Sequence, residues 1–196
     1  HVKADGTKDN PAFLVSSDDE DVEGEAIRRV SHIFQWDVPL DQITNFFMNT
    51  DLREIFREHE GTPLILDFSP YFSLMKCIVH QQLNMAFAIK LTERFVKTYG
   101  VEKDGVWFSP QPERVANLKV EDLRELQFSG RKAEYVIGTS KMIAEGDLQL
   151  DALEEMSDEE VIEKLVAIRG VGPWTAQNYL LFALGRQNLF PMADIG

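Results

Sequence analysis

The stretch VAIRGVGPWTAQNYLLFALGRQNLFPMADIG, residues 166–196, decides how this chain folds. A helical pattern runs into Ile168 and Arg169, and Gly170, Val171 and Gly172 then make a tight turn. A second helix starts at Pro173, because proline suits a first helical position, where its missing N–H would be unpaired anyway. Gly170 and Gly172 permit positive φ and remove side-chain bulk. Backbone N–H groups at such a turn, pointing out of a helix N-terminus, can hold a phosphate. From Gly-Val-Gly alone two readings stay open: a plain helical hairpin whose glycines only close the turn, and a turn that grips phosphate. The stretch is not a P-loop, since it lacks the Gly-Lys-Ser/Thr ending. It is not a dinucleotide fingerprint either, since a helix precedes it rather than a strand.

Working back from the hairpin, helical patterns dominate. SDEEVIEKLVAI (157–168) opens with Ser157 and has Glu160 three residues later, the signature of a capping box. SGRKAEYVIGTSKMIAEGDL (129–148) opens after Ser129 and closes near Gly146. KVEDLREL is a further short helix, and SPQPERVANL offers Ser109 as a cap for a helix begun by proline. A long apolar helix follows Pro70, ends at Gly100, and breaks near HQQLN, where polar residues interrupt the stripe. EGEAIRRVSHIFQW, LDQITNFFMNT and LREIFREHEG read as three shorter helices. From about residue 63 onward the chain therefore reads as a compact all-α domain. Residues 1–22 are polar and acidic, with an apolar AFLV at 12–15 that suits a short strand entering a loop. The expected division is an acidic segment over 1–22 and a helical region over 23–196, in a chain that is mainly α.

Composition excludes several function classes. The single cysteine, Cys77, forbids an intramolecular disulfide and any site built from cysteines alone, and its apolar neighbours make it a buried small hydrophobe. The four histidines (His1, His32, His59 and His80) are scattered without ligand spacing, so no metal site is expected. His80 reads as buried and hydrogen-bonded. The net charge of −13 argues against a generic basic nucleic-acid binder, but leaves room for phosphate held by backbone amides. No signal peptide and no long uncharged apolar segment is evident, which points to a reducing cytoplasm and no membrane partner. The chain begins at His1 and stops just after Asp194, where another helix would start, so a piece of a longer protein, truncated at its C-terminus, is expected.

The hairpin residues Ile168, Arg169, Gly170, Val171, Gly172, Pro173, Trp174, Thr175 and Ala176 resemble those of the helix-hairpin-helix DNA glycosylase superfamily. That hairpin reads apolar-x-Gly-apolar-Gly-x-x-Thr-Ala. Downstream, Phe190 and Pro191 precede Asp194, as a Phe-Pro-like pair precedes the essential aspartate of that superfamily. The spacing of Trp174 and Asp194 is similar to that of the AlkA-type 3-methyladenine DNA glycosylases. IVHQQLNMAFA (78–88) resembles that branch's Ile-x-x-Gln-Gln-x-x-x-x-Ala junction, and SGRKAEY resembles its Ser-x-x-Lys-Ala-x-Tyr helix. The four ordered blocks cover roughly residues 61–196. In AlkA-type members a small β-rich domain precedes the helical region, and the resemblance leaves room for residues 1–22 to be its tail.

This resemblance implies a base-excision repair enzyme, with damaged double-stranded DNA as its partner, that cleaves the N-glycosidic bond of alkylated purines such as 3-methyladenine. It implies Asp194 as the catalytic carboxylate, Trp174 and Asn178 in the base pocket, and Gly170, Val171, Gly172 and Thr175 on DNA phosphate. Gln82 or Leu83 would enter the duplex as the wedge. At the place of Asn178 some AlkA-type proteins present an aromatic, which leaves base preference open. Arg131 and Lys132 read either as a phosphate-meeting pair or as a solvated basic pair. Trp174 stands where lyase members of the superfamily carry a lysine, so a monofunctional enzyme is implied, without an amine nucleophile. No cofactor is expected for the chemistry, and a monovalent cation at the hairpin carbonyls is compatible with the resemblance. A monomer is expected, in the cytoplasm and on the nucleoid if the source is bacterial. Two alternatives stand beside this reading: a non-catalytic helix-hairpin-helix DNA-binding module, and a glycosylase for another damaged base.

Overall fold

The computed structural model describes residues 1–7, 12–17 and 20–192. It is mainly helical and divides into two compact units, residues 1–66 and 67–196. In the first unit, β1 (Val2–Ala4) pairs antiparallel with β2 (Phe13–Val15), with Val2 opposite Val15. After a short 3₁₀ turn comes α1 (Glu23–Phe34), which ends on Gln35 in the left-handed conformation at φ 53°. The Phe13 ring stacks on Trp36 at 4.8 Å between centroids and so ties β2 to the end of α1. Helices α2 (Leu40–Phe47) and α3 (Arg53–Glu58) are joined by the stacked rings of Phe47 and Phe56.

The second unit is organised around α4 (Pro70–His80). Ser69 caps α4 by accepting from the Phe72 N–H, and Pro70 fills its first turn. Tyr71, Leu74, Met75, Cys77, Ile78 and Val79 are all buried, because α4 is covered on more than one side. It packs against α5 (Met85–Tyr99), α8 (Gly130–Ala144) and α10 (Pro173–Phe182). Helices α6 (Pro112–Ala116), α7 (Val120–Glu125) and α9 (Asp158–Val166) complete the unit. α10 buries Thr175, Ala176, Asn178, Tyr179 and Leu180 between α4 and α9. It therefore has no single apolar stripe and buries residues on more than one side, as a central helix does. The turn after α9 is thus held on both sides by core helices.

Three details differ from the sequence reading. The second unit is not all-α: β3 (Val101–Lys103) and β4 (Val106–Phe108) form an antiparallel hairpin. Its turn residues Asp104 and Gly105 have φ of 52° and 79°, the two positive values that a two-residue hairpin turn demands. Ser109 does not cap α6: the N-cap is Gln111, two residues beyond the expected cap, because the helix starts at Pro112. α9 ends at Val166 rather than at Ile168 or Arg169, since the next residues already bend into the turn.

Candidate active site

The chain is broken where the polar residues interrupt the apolar stripe. α4 stops at His80, Gln81 leaves in an extended conformation, and Gln82 turns through φ 54°. Asn84 then starts α5 by accepting from the Phe87 N–H at 2.9 Å. A left-handed residue is a common way to end a helix, but it strains a side chain such as glutamine by roughly 1–3 kcal/mol. Gln82 is exposed and has no hydrogen-bond partner among the described residues, while Leu83 is half-buried against the core. The two wedge candidates therefore sit side by side in different surroundings.

The hairpin lies beside this break. Val171 donates to the Ile168 carbonyl at 3.0 Å, and Gly170 sits at φ 92°. A Cβ at Gly170 would fall into the Tyr135 ring, so glycine is required there by conformation and by contact. Gly172 differs: its φ is −105°, and a Cβ there would meet nothing within 4 Å. Of the two glycines that permit positive φ, only Gly170 adopts it. Gly172 is the N-cap of α10 and carries no side-chain cap, and Pro173 follows without an N–H. Ala176 is the first residue of α10 paired within the helix, to the Gly172 carbonyl at 3.0 Å. The N–H groups of Trp174 and Thr175 thus have no partner within the helix and stand at the positive end of its dipole.

Of the other expected phosphate ligands, Val171 is buried and has its N–H committed to the turn. The Thr175 hydroxyl is also buried and accepts from Gln81 Nε2 at 2.7 Å. The same Gln81 nitrogen donates to the Gly170 carbonyl at 2.8 Å. Lys132 Nζ in turn donates to the Gln81 carbonyl at 2.6 Å and to the Ile78 carbonyl at 3.1 Å. Lys132 is thus neither a solvated cation nor a free phosphate ligand. It is half-buried against carbonyls at the end of α4, and this burial pushes its ammonium down to about 8. Its partner in the sequence, Arg131, is exposed. His80 is half-buried and shares a hydrogen bond with the Thr92 hydroxyl at 3.0 Å. Burial, and then the charges of Lys76 and Lys132, hold its pKa below the usual histidine value.

A cleft of about 600 Å³ opens between these parts, lined by Gln82, Leu83, Phe87, Arg131, Tyr135 and Gly172 among others. Trp174 and Asn178 are not in its lining. They lie one turn apart on α10, with Trp174 half-buried and Asn178 buried, its Nδ2 donating to the Trp174 carbonyl at 2.9 Å. One N–H of the Asn178 amide is therefore spent within its own helix. Asp194 lies outside the described residues. The residues leading to it include Phe190 and Met192, 84% and 87% exposed. Among the described residues, no group of three or more His, Cys, Asp or Glu side chains is placed to hold a metal ion.

Sequence reasoning named Gln81, Lys132 and Tyr135 inside motifs, without the contacts that join them. Their spacing gave one hint: Lys132 and Tyr135 are three apart, so they share a face of α8.

Comparison with known proteins follows the same residues. Residues 75–196 match the family model described as HhH-GPD superfamily base excision DNA repair protein. The whole chain is 55% identical over 195 residues to a Bacillus subtilis protein provisionally named DNA-3-methyladenine glycosylase YfjP, of which it covers 67%. A second B. subtilis protein, named DNA-3-methyladenine glycosylase, is 37% identical over 123 residues, which are 61% of this chain and 41% of that one. The solved 3-methyladenine DNA-glycosylase from Archaeoglobus fulgidus superposes with a TM-score of 0.82 at 30% identity, over 99% of this chain and 67% of that one. The chain thus spans between 41% and 67% of the length of these proteins.

Proposed function

The chain belongs to the HhH-GPD superfamily of base excision DNA repair proteins, and from that premise we propose that it is a monofunctional DNA glycosylase for alkylated purines such as 3-methyladenine. The observation that carries the reading is the hairpin. A Cβ at Gly172 would meet nothing within 4 Å, and the N–H groups at the start of α10 have no side-chain cap, which together suit a DNA phosphate. The names of the relatives supply the chemistry to be tested.

In this reading the damaged nucleotide leaves the stack, and Gln82 or Leu83 fills the gap. The C1′–N bond breaks with its electron pair passing to the base, and the sugar develops oxocarbenium character. The carboxylate of Asp194 stabilises that charge and orients a water. The water oxygen bonds to C1′, its proton passes to solvent, and an abasic site remains. Alkylated purines carry positive charge, and the indole of Trp174 attracts it by cation–π stacking. Asn178 borders that pocket from one turn further along α10. Because Trp174 is no amine nucleophile, no Schiff base forms at this position and the strand stays uncut.

No cofactor enters the bond-breaking step. The carbonyls of Ile168 and Gly170 each accept one hydrogen bond and keep a second lone pair, which fits a monovalent cation as an additional ligand. Such a cation would add positive charge near the gripped phosphate. Among the described residues no helix is long and apolar enough to cross a membrane. The enzyme acts as a monomer on duplex DNA in the cytoplasm.

Release of free base from methylated duplex DNA tests the reading. The wild-type chain is expected to release 3-methyladenine, and Asp194→Asn to be slower by about a hundredfold or more. Release of hypoxanthine or uracil instead would reassign the substrate. Duplex binding with no base released from any substrate would identify a non-catalytic DNA-binding module. Equal activity of Asp194→Asn would remove Asp194 from the mechanism and leave the enzyme.

A further inference from the structure

We propose that Lys132 is a positioning residue which, through Gln81, locks the 81–84 break to the glycine hairpin, so that the wedge and the phosphate grip meet the duplex at one fixed separation. The inference rests on the glycosylase reading above and adds to it a residue that does not touch DNA or the reacting atoms.

The geometry is a short chain of contacts. Lys132 Nζ holds the Gln81 carbonyl at 2.6 Å. That carbonyl belongs to the peptide joining Gln81 to Gln82, so holding it fixes the peptide plane from which Gln82 turns through φ 54°. The Gln81 side chain leaves in the other direction and bonds the hairpin at the Gly170 carbonyl and the Thr175 hydroxyl, at 2.8 and 2.7 Å. One residue is thus grasped at its backbone by α8 and grasps the hairpin with its amide. The second bond of Lys132, to the Ile78 carbonyl, anchors the assembly to the last turn of α4. Tyr135, one turn further along α8, packs where Gly170 has no side chain and sets the depth of the turn from the same helix. The strained residue and its exposed side chain are the product: Gln82 is presented outward in a conformation that a glutamine does not choose by itself.

The half-buried ammonium is an expensive way to hold a loop. Burial lowers its pKa, so charge is retained there at a cost in stability.

The test is single-turnover base release by the full chain, on two substrates. One carries the lesion paired in an intact duplex, where the wedge must replace a stacked, paired base. The other carries the same lesion opposite an abasic-site analogue, where no pairing has to be broken. Lys132→Met keeps the aliphatic stem and removes the two bonds. It is expected to slow release from the paired duplex by about tenfold or more and from the unpaired lesion by less than about threefold. Lys132→Arg should restore most of the paired-duplex rate, and thermal melts should show both variants folded. Gln81→Ala should give the same split, and the double variant should be no slower than the slower single variant, as members of one unit are not additive. Equal losses on both substrates, or no loss in Lys132→Met, overturn the proposal. Should Lys132→Met fail to fold, the Gln81→Ala split decides it alone. Wild-type protein that releases no base from either substrate overturns the glycosylase reading and this inference with it.

Discussion

Gly170 and Gly172 share a motif and do unlike work. At Gly170 the backbone is left-handed, and the Tyr135 ring fills the space of a Cβ, so the protein itself demands glycine. Gly170→Ala is expected to cost about 2–4 kcal/mol in denaturant unfolding, from backbone strain plus overpacking. At Gly172 the backbone is ordinary and the space is open, so the fold makes no such demand. Gly172→Ala should change stability by less than about 0.5 kcal/mol, yet weaken binding to abasic duplex DNA, because a phosphate gripped at the start of α10 would approach across the open space that the methyl group then occupies. Comparing melts with DNA titrations on the two variants checks both; loss of stability without loss of binding in Gly172→Ala would remove the phosphate from this turn. The pair was legible in the sequence as a turn, but the division of labour was not. It depends on Tyr135, thirty-odd residues away in the chain, and no local pattern encodes a contact at that range. The same holds for Lys132, whose charge suggested phosphate while its partners are carbonyls at the end of α4.

Elements were more readable than contacts, because caps and breaks are written locally. Ser157 with Glu160 closes its capping box at the start of α9, Ser129 caps α8, and the HQQLN interruption does separate α4 from α5. The β3–β4 hairpin went unread although Asp104-Gly105 is a strong hairpin signal, since its strands are only three residues long and exposed on both faces, with no apolar alternation to mark them. Helices α4 and α5 are rejoined across their break by His80 and Thr92. Burial and the nearby Lys76 and Lys132 charges lower the folded pKa of His80 from 6.5. A base with a lowered folded pKa binds its proton less readily in the native state than in the unfolded one. Its contribution to stability is therefore complete above pH 6.5 and is lost as pH falls through the lower folded value. Thermal melts between pH 7 and pH 5 should show wild type losing more stability than His80→Gln, whose side chain can still reach Thr92 and does not titrate. Parallel curves would show that protonation of His80 does not govern this joint.

At the scale of the whole molecule, the acidic balance of the chain makes an unusual demand on DNA binding. A net charge of −13 repels the duplex at long range, and the proposed grip relies on uncapped N–H groups at the hairpin rather than on a basic face. Lys132, a cation at the cleft, is turned inward to carbonyls, which leaves Arg131 as the exposed one in its lining. Backbone dipoles release few condensed counterions, because they carry no full charge to replace them. Added salt also screens the repulsion between the acidic protein and the phosphates, and this opposes the usual loss of affinity. A protein neutralising six to ten phosphates loses about 10³–10⁵ in affinity between 50 and 200 mM salt. For this chain on abasic duplex DNA the loss over the same range should be less than about tenfold, corresponding to only one or two ionic contacts. A titration series in sodium chloride measures the slope directly. A steep slope would mean that clustered lysines and arginines hold the backbone, and the hairpin amides would then be secondary. A shallow slope that becomes no shallower in Arg131→Gln would leave the amides as the main hold. Recognition would then depend on the shape and dipoles of one turn, in a molecule whose overall field works against it.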